Sequence, residues 1–221
     1  MVLPNTLKIY YINYKNNIIY LRIILLKNIP IMKKIILLLV VIFIATTSMA
    51  QVSAGLKVGT SFASVEVAAM GVKASTSNRT ALALGGFVNF SVSEKFKIQP
   101  ELLYQGMGGS VDGETFKSEY INIPVLAQYA VTQNFKIEAG PQFGILASSK
   151  SAGEDIKDAF KTSDFQLLFG ASINVTDAIG IGARYGTSMS SIASNADQAF
   201  DDVNVSIKNK AFTVMLTYKI F

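Results

Sequence analysis

Between Glu119 and Tyr129 the chain reads Glu-Tyr-Ile-Asn-Ile-Pro-Val-Leu-Ala-Gln-Tyr, and polarity alternates along it. At period two, Ile121, Ile123, Val125, Ala127 and Tyr129 share one face, while Tyr120, Asn122, Pro124, Leu126 and Gln128 share the other. A helix would mix these two sets around its circumference, whereas a strand separates them into one apolar side and one mixed, hydrogen-bonding side. The stretch from Phe96 to Gly106 repeats the arrangement: Phe96, Ile98, Pro100, Leu102 and Tyr104 alternate with Lys97, Gln99, Glu101, Leu103 and Gln105. Two long strands with lipid-compatible groups on one face and amides or charges on the other predict the wall of a membrane barrel.

Six more segments follow the same rule. Their apolar rows begin at Ala54, Leu82, Phe135, Phe165, Ile179 and Phe212. The opposed rows are rich in small and polar residues: Gly55, Lys57, Gly59 and Ser61 in the first, Gly180, Gly182, Arg184 and Gly186 in the seventh. Short links are expected at Ser93-Glu94, Thr132-Gln133-Asn134 and Thr176-Asp177, and long polar loops over about 64–79, 108–118, 147–163 and 187–209. Three short turns, four long loops and both ends on the short-turn side predict an all-β fold, an eight-stranded antiparallel transmembrane β-barrel in an up-and-down meander. An even strand count closes the sheet and leaves no edge facing lipid. The structural rival is a lipocalin-like barrel with its apolar face turned inward. Its outer surface would carry many Lys and Glu, whereas the polar rows here are mainly Gly, Ser, Ala, Asn and Gln, which suit a narrow lumen. Pro100, Pro124 and Pro141 fall inside three consecutive strands, where each omits a ladder hydrogen bond. Bulges or ladder ends are expected at those positions.

The formal charge of +5 over 221 residues suggests a basic protein, but its distribution does not. Six of the 20 Lys+Arg precede position 51 and none of the 15 acids does, so 51–221 carries 14 basic against 15 acidic residues. The positive balance belongs to a front segment and gives no reason to expect a nucleic-acid partner. Within that segment Met32-Lys33-Lys34, the apolar run Ile35 to Ile44, and Ser48-Met49-Ala50 read as the three regions of a signal peptide over 32–50. Residues 1–31, acid-free and dominated by Ile, Asn, Tyr, Leu and Lys, are expected to be an upstream extension ahead of the true start. The barrel domain is then 51–221.

No His and no Cys occur anywhere, which removes the usual zinc ligands and the His-based nucleophile relays. On the inward parity lie Lys57, Lys97, Glu101, Lys136, Glu138 and Arg184, with Lys219 beside them. Glu101 and Glu138 could be an acid–base pair. With cations on the same face, however, mutual neutralisation inside the lumen is the simpler expectation, because an unpaired buried charge is costly. We therefore expect a charge network in which Arg184 meets Glu101 or Glu138 and blocks a continuous pore. No catalytic residue, cofactor or metal site is expected. The acids Glu154, Asp155, Asp158, Asp197, Asp201 and Asp202 match no calcium-loop spacing. Tyr104, Tyr120, Tyr129, Tyr185 and Tyr218 lie near strand ends, where interface anchors are expected.

Several local motifs then stand in a specific order: Gly55-x-Lys57-x-Gly59, Gln99-Pro100-Glu101-Leu102-Leu103-Tyr104, Tyr120-Ile121-Asn122-Ile123-Pro124, Glu138-Ala139-Gly140-Pro141 and Ala183-Arg184-Tyr185-Gly186. Together they cover most of 51–221 and resemble the PorT-like outer-membrane β-barrel proteins. The resemblance implies the barrel fold and a bacterial outer-membrane location far more than an activity, since that family holds one secretion-linked member and many of unknown role. The terminal Phe221 resembles the outer-membrane assembly signal, although Ile220 puts it off the apolar parity of its strand. The partners so implied are outer-membrane lipid and, through the C-terminal strand, the barrel-assembly machinery. The expected role is structural or interactive, through a protein partner at the extracellular loops, with support of a secretion assembly as one form of it. The alternative is a narrow passive solute channel.

Overall fold

Alternation of this kind has one outcome when eight strands must satisfy every backbone group at their edges, which is closure. A computed structural model describes residues 52–111, 113–194 and 205–221. The segments expected as upstream extension and signal peptide, 1–31 and 32–50, lie outside the described residues. The strands are β1 (Val52–Ala69), β2 (Val72–Ser75), β3 (Ser77–Ser91), β4 (Phe96–Val111), β5 (Glu114–Ala130), β6 (Phe135–Ser151), β7 (Glu154–Asp155), β8 (Ser163–Asn174), β9 (Ile179–Ser188) and β10 (Val205–Lys219). Each long strand pairs antiparallel with the next, and β10 returns to β1 from Gly55↔Lys219 to Ala69↔Val205. The result is an eight-stranded barrel, with β2 and β7 as short additions at one end.

The two faces separate as the alternation requires. Ile121, Ile123 and Val125 are 42–43% exposed, while Asn122 and Gln128 are 0% and 2% exposed. Leu56, Val58, Leu102, Phe169 and Leu216 likewise point outward, and Lys57, Glu101 and Arg184 point inward. A lipocalin-like packing would reverse these sets. Along the outer face, Phe62, Phe212, Tyr185 and Phe169 are cross-strand partners in an unbroken row over four strands. Such an exposed apolar wall is stable only against lipid.

The three short turns share one construction. Val92-Ser93-Glu94-Lys95-Phe96, Val131-Thr132-Gln133-Asn134-Phe135 and Val175-Thr176-Asp177-Ala178-Ile179 repeat Val, a hydroxyl residue, two variable residues and a large apolar residue. In each the hydroxyl oxygen accepts the amide of the fifth residue: Phe96 N to Ser93 Oγ at 3.1 Å, and Phe135 N to Thr132 Oγ1 and Ile179 N to Thr176 Oγ1 at 3.0 Å. The local side-chain bond satisfies a donor that the reversing ladder leaves open.

The other end differs from the expectation of four long loops. Strands β1, β4, β5 and β6 run to 18, 16, 17 and 17 residues, well beyond the roughly 9–11 that cross a bilayer. The β1–β2 and β6–β7 hairpins close in two-residue turns. Met70 and Gly71 both have positive φ, as do Ala152 and Gly153, the geometry that matches the twist of the flanking strands. Polar, Ser-rich composition suggested loops at 64–79, 108–118 and 147–163. Above the lipid belt, though, a ladder continues with water on its outer face and needs no apolar row. Over 187–209, β9 extends to Ser188 and β10 begins at Val205, and 195–204 lie outside the described residues.

The prolines interrupt the ladder without shifting it. Pairing of β4 with β5 stops after Pro100↔Val125 and resumes in the same register at Leu103↔Asn122. Between β5 and β6 it stops after Pro124↔Gln142 and resumes, again in register, at Ala127↔Ala139. The expected bulges lie elsewhere, between Asn78 and Ala83 and between Glu119 and Tyr120. There Arg79 donates to the carbonyl of Met107, bonds that of Ser118 at 3.4 Å, and pairs with Glu119 at 2.6 Å. Its guanidinium takes up acceptors that the irregular ladder leaves open.

Candidate functional site: the filled lumen

An eight-stranded barrel has an interior just wide enough for side chains to fill, and here they fill it in layers. The inward positions of β4 pass through all of them in turn: Met107, Gln105, Leu103, Glu101 and Gln99. At the outer end Met107 joins Ala63, Tyr120, Leu146 and Ala211 in an apolar plug, with Phe160 packed against it. The segments around Phe160 and Ile192 lie together over this end, through Lys161 N to Ile192 O at 2.7 Å and Ser194 N to Ala159 O at 3.1 Å.

Below the plug is an amide and hydroxyl layer. Gln105 donates to Ser61 Oγ at 3.1 Å and to Thr213 Oγ1 at 3.0 Å, and accepts from Asn122 at 2.9 Å. Beside the plug itself, where Asn209 also reaches the Tyr120 hydroxyl, Asp164 Oδ2 accepts from Gln166 Nε2 at 2.6 Å, Ser188 Oγ at 2.9 Å and Asn209 Nδ2 at 3.0 Å. Sequence reasoning missed Asp164. It sits at the start of β8, one residue before the first outward Phe, and its inward parity was the available signal. A second apolar set, Ala83, Leu103 and Met215, follows.

The next layer holds the charges. Arg184, 5% exposed, meets Glu101 with two parallel contacts, Nη1 to Oε2 at 2.6 Å and Nη2 to Oε1 at 2.7 Å. Its Nε also bonds Glu138 Oε1. Lys57 Nζ reaches Glu101 Oε1 at 2.7 Å and lies 5.5 Å from the centre of the Phe87 ring. Gln99 donates to Glu101 at 2.5 Å and Gln128 to Glu138 at 2.7 Å. Asn89 then ties Gln99 and Gln128 together at 2.8 Å each. Two cations and two carboxylates from β1, β4, β6 and β9 thus form a neutral chain across the lumen, Lys57–Glu101–Arg184–Glu138, which the Gln128–Asn89–Gln99 amides close into a ring between Glu138 and Glu101. The forked Arg contact fixes geometry as well as charge.

Of the six residues expected to form the network, Lys57, Glu101, Glu138 and Arg184 are joined. Lys97 and Lys136 are not: they line a cavity of about 120 Å³ on the short-turn side of the ring, together with Lys219. Among the described residues none of these three lysines has a carboxylate within 4.0 Å. Tyr120 departs from the interface role expected of it. It is 1% exposed within the plug, and its hydroxyl accepts from Asn209 Nδ2 at 3.3 Å, whereas Tyr104, Tyr129, Tyr185 and Tyr218 face outward. Of the six acids considered for calcium, Asp197, Asp201 and Asp202 lie outside the described residues. Glu154 and Asp155 are exposed in β7.

Close strand approach shapes this interior as much as polarity. An ideal Cβ on Gly59 would lie 2.0 Å from the Val214 carbonyl oxygen, and one on Gly85 2.0 Å from that of Leu102. Inward glycines at these positions let the wall curve tightly.

No curated protein matches the sequence. Among solved structures, the chain is similar to Ail, the attachment invasion locus protein of Yersinia pestis, at 11% identity and a TM-score of 0.46, covering 77% of this chain and 99% of that one. It is similar also to Neisserial surface protein A, at 12% identity and a TM-score of 0.45, covering 75% and 97%. A third is the outer membrane protein OprG from Pseudomonas aeruginosa, at 13% identity and a TM-score of 0.35, covering 76% and 94%. The family model described as outer membrane protein beta-barrel domain matches residues 46–194, spanning the inward charges from Lys57 to Arg184. This chain is a bacterial outer-membrane β-barrel and belongs to the outer membrane protein beta-barrel domain family.

Proposed function

We propose that the protein is a non-conducting, non-enzymatic barrel whose role is structural or interactive and is exercised at its outer end. The observation that carries this reading is the filled cross-section. The Lys57–Glu101–Arg184–Glu138 ring and the Met107–Tyr120–Leu146 plug are separate buried layers, so a solute would have to break both. An open channel of this strand number would need an unfilled lumen. Catalysis finds no support in the same layers, because each carboxylate of the ring is engaged by a cation and an amide rather than held ready for a substrate.

At the outer end, hairpins that continue past the lipid belt present a polar sheet to the exterior, a suitable surface for a protein partner. Residues 32–50 serve as the export signal in this reading, and the C-terminal strand as the contact with the barrel-assembly machinery. Support of a secretion assembly is one form that such an interactive role can take. Planar-bilayer recording of the purified protein tests the central point. Silence across the usual voltage range is expected, and steady conductance would replace this reading with the narrow solute channel. Cross-linking on intact cells, with and without the 64–79 hairpin, tests the interaction: the same cross-linked species in both would remove the hairpin from the role.

A further inference from the structure

The charge ring divides the lumen, and the space on its short-turn side is a blind cup. Its volume is about 120 Å³, room for several waters or one small polyatomic ion. Five cations line it: Lys57, Lys97, Lys136, Arg184 and Lys219. Lys57 and Arg184 are already balanced by Glu101 and Glu138. The remaining three lysines face a single acid, Asp177, at the turn between β8 and β9. The cup therefore carries an excess of two positive charges, its five cations contributed by β1, β4, β6, β9 and β10 around a volume the size of a small polyatomic ion. Like charges gathered in one small cup repel, and an anion among them relieves that repulsion.

We propose that this cup binds a small dianionic oxyanion of the phosphate class. Two net positive charges match a dianion, and three ammonium groups supply up to nine donors to its oxygens. Ser172, Asn174 and Thr217 in the lining add neutral donors. The floor is the Arg184 layer, already neutral, so the ligand is held by the free lysines and does not compete for the ring. Short turns of such barrels face the periplasm, so the source is a soluble phosphate or phosphomonoester from that compartment. A lipid headgroup would have to leave the outer wall and turn into the lumen.

The test uses the full-length protein extracted in detergent and titrated with inorganic phosphate by calorimetry at constant ionic strength, with sodium chloride as the matched control. Saturable binding is expected. Lys97→Gln combined with Lys136→Gln should weaken it about tenfold or more, as the loss of charge-assisted contacts implies, while Lys97→Arg with Lys136→Arg should retain it. Neither lysine belongs to an ion pair of the ring, so the heat-sensitive gel mobility of the folded barrel should be unchanged. If the Gln pair lost that mobility, Lys219→Gln at the open rim would provide the same comparison. Heat no greater than that of chloride, or phosphate binding indifferent to both Gln substitutions and to Lys219→Gln, would overturn the proposal. So would response to a soluble short-chain phosphatidic acid without any response to inorganic phosphate.

Discussion

Replacing Arg184 by Met should destabilise the barrel through one stranded carboxylate in particular. Removal of the guanidinium deletes three contacts: two to Glu101, at 2.6 and 2.7 Å, and one to Glu138. The two acids are not left in equal positions. Glu101 keeps Lys57 at 2.7 Å and Gln99 at 2.5 Å, whereas Glu138 keeps only the amide of Gln128 at 2.7 Å. Breaking a buried pair by deleting one partner costs about 3–5 kcal/mol. Arg184 borders the cup, so water reaches its edge and the lower end of that range applies. Adding Glu138→Gln removes the stranded charge and should recover about 1–2 kcal/mol, within the range of coupling between contacting residues. Adding Glu101→Gln instead leaves Glu138 stranded and takes the partner from Lys57, so little or nothing should be recovered. The assay is urea unfolding of the protein in detergent or lipid vesicles, followed by circular dichroism and by the gel mobility of the folded form. Equal recovery in the two double variants, or strictly additive losses in both, would refute the asymmetric ring.

Ile123→Arg should cost about 2–4 kcal/mol if the position lies near the bilayer midplane, and Asn122→Leu, which removes a donor to Gln105 inside the lumen, should cost less. A negligible cost at Ile123 in the same unfolding assay would invert the assignment of faces. Gly59→Ala should lower stability by about 1–3 kcal/mol, the usual range for overpacking, because its Cβ would meet the Val214 carbonyl oxygen; an unchanged urea midpoint would show that the wall does not approach so closely there. The unmodified protein should stay silent in planar bilayers, and phosphate should bind it in a manner dependent on Lys97 and Lys136, as set out above.

The Ile121–Asn122–Ile123 alternation was enough to assign both faces of β5, because the side-chain period of a strand is two and lipid accepts only one of the two rows. The same reasoning placed Lys57, Glu101, Glu138 and Arg184 inside before any contact was known. It could also place the short turns, whose Val-(Ser/Thr)-x-x-(Phe/Ile) repeat is entirely local. Parity, however, says only which way a residue points, never how high it stands in the barrel. Height depends on the stagger between strands, and that depends on every ladder at once. Hence Arg184 meets Glu101 across 83 positions, while Lys97 and Lys136, of identical parity, stand below the ring and remain free. Tyr120 and Asp164 followed the same rule: their inward parity was legible, but their places in and beside the plug were not. The outer hairpins were misjudged because the apolar row that marks a strand exists only where lipid demands it; beyond the belt the backbone ladder alone carries the sheet onward, and side-chain pattern no longer records it. The prolines gave the converse case, a visible break in hydrogen-bonding capacity that the closed barrel absorbs by omitting pairs, the register resuming unchanged beyond each gap.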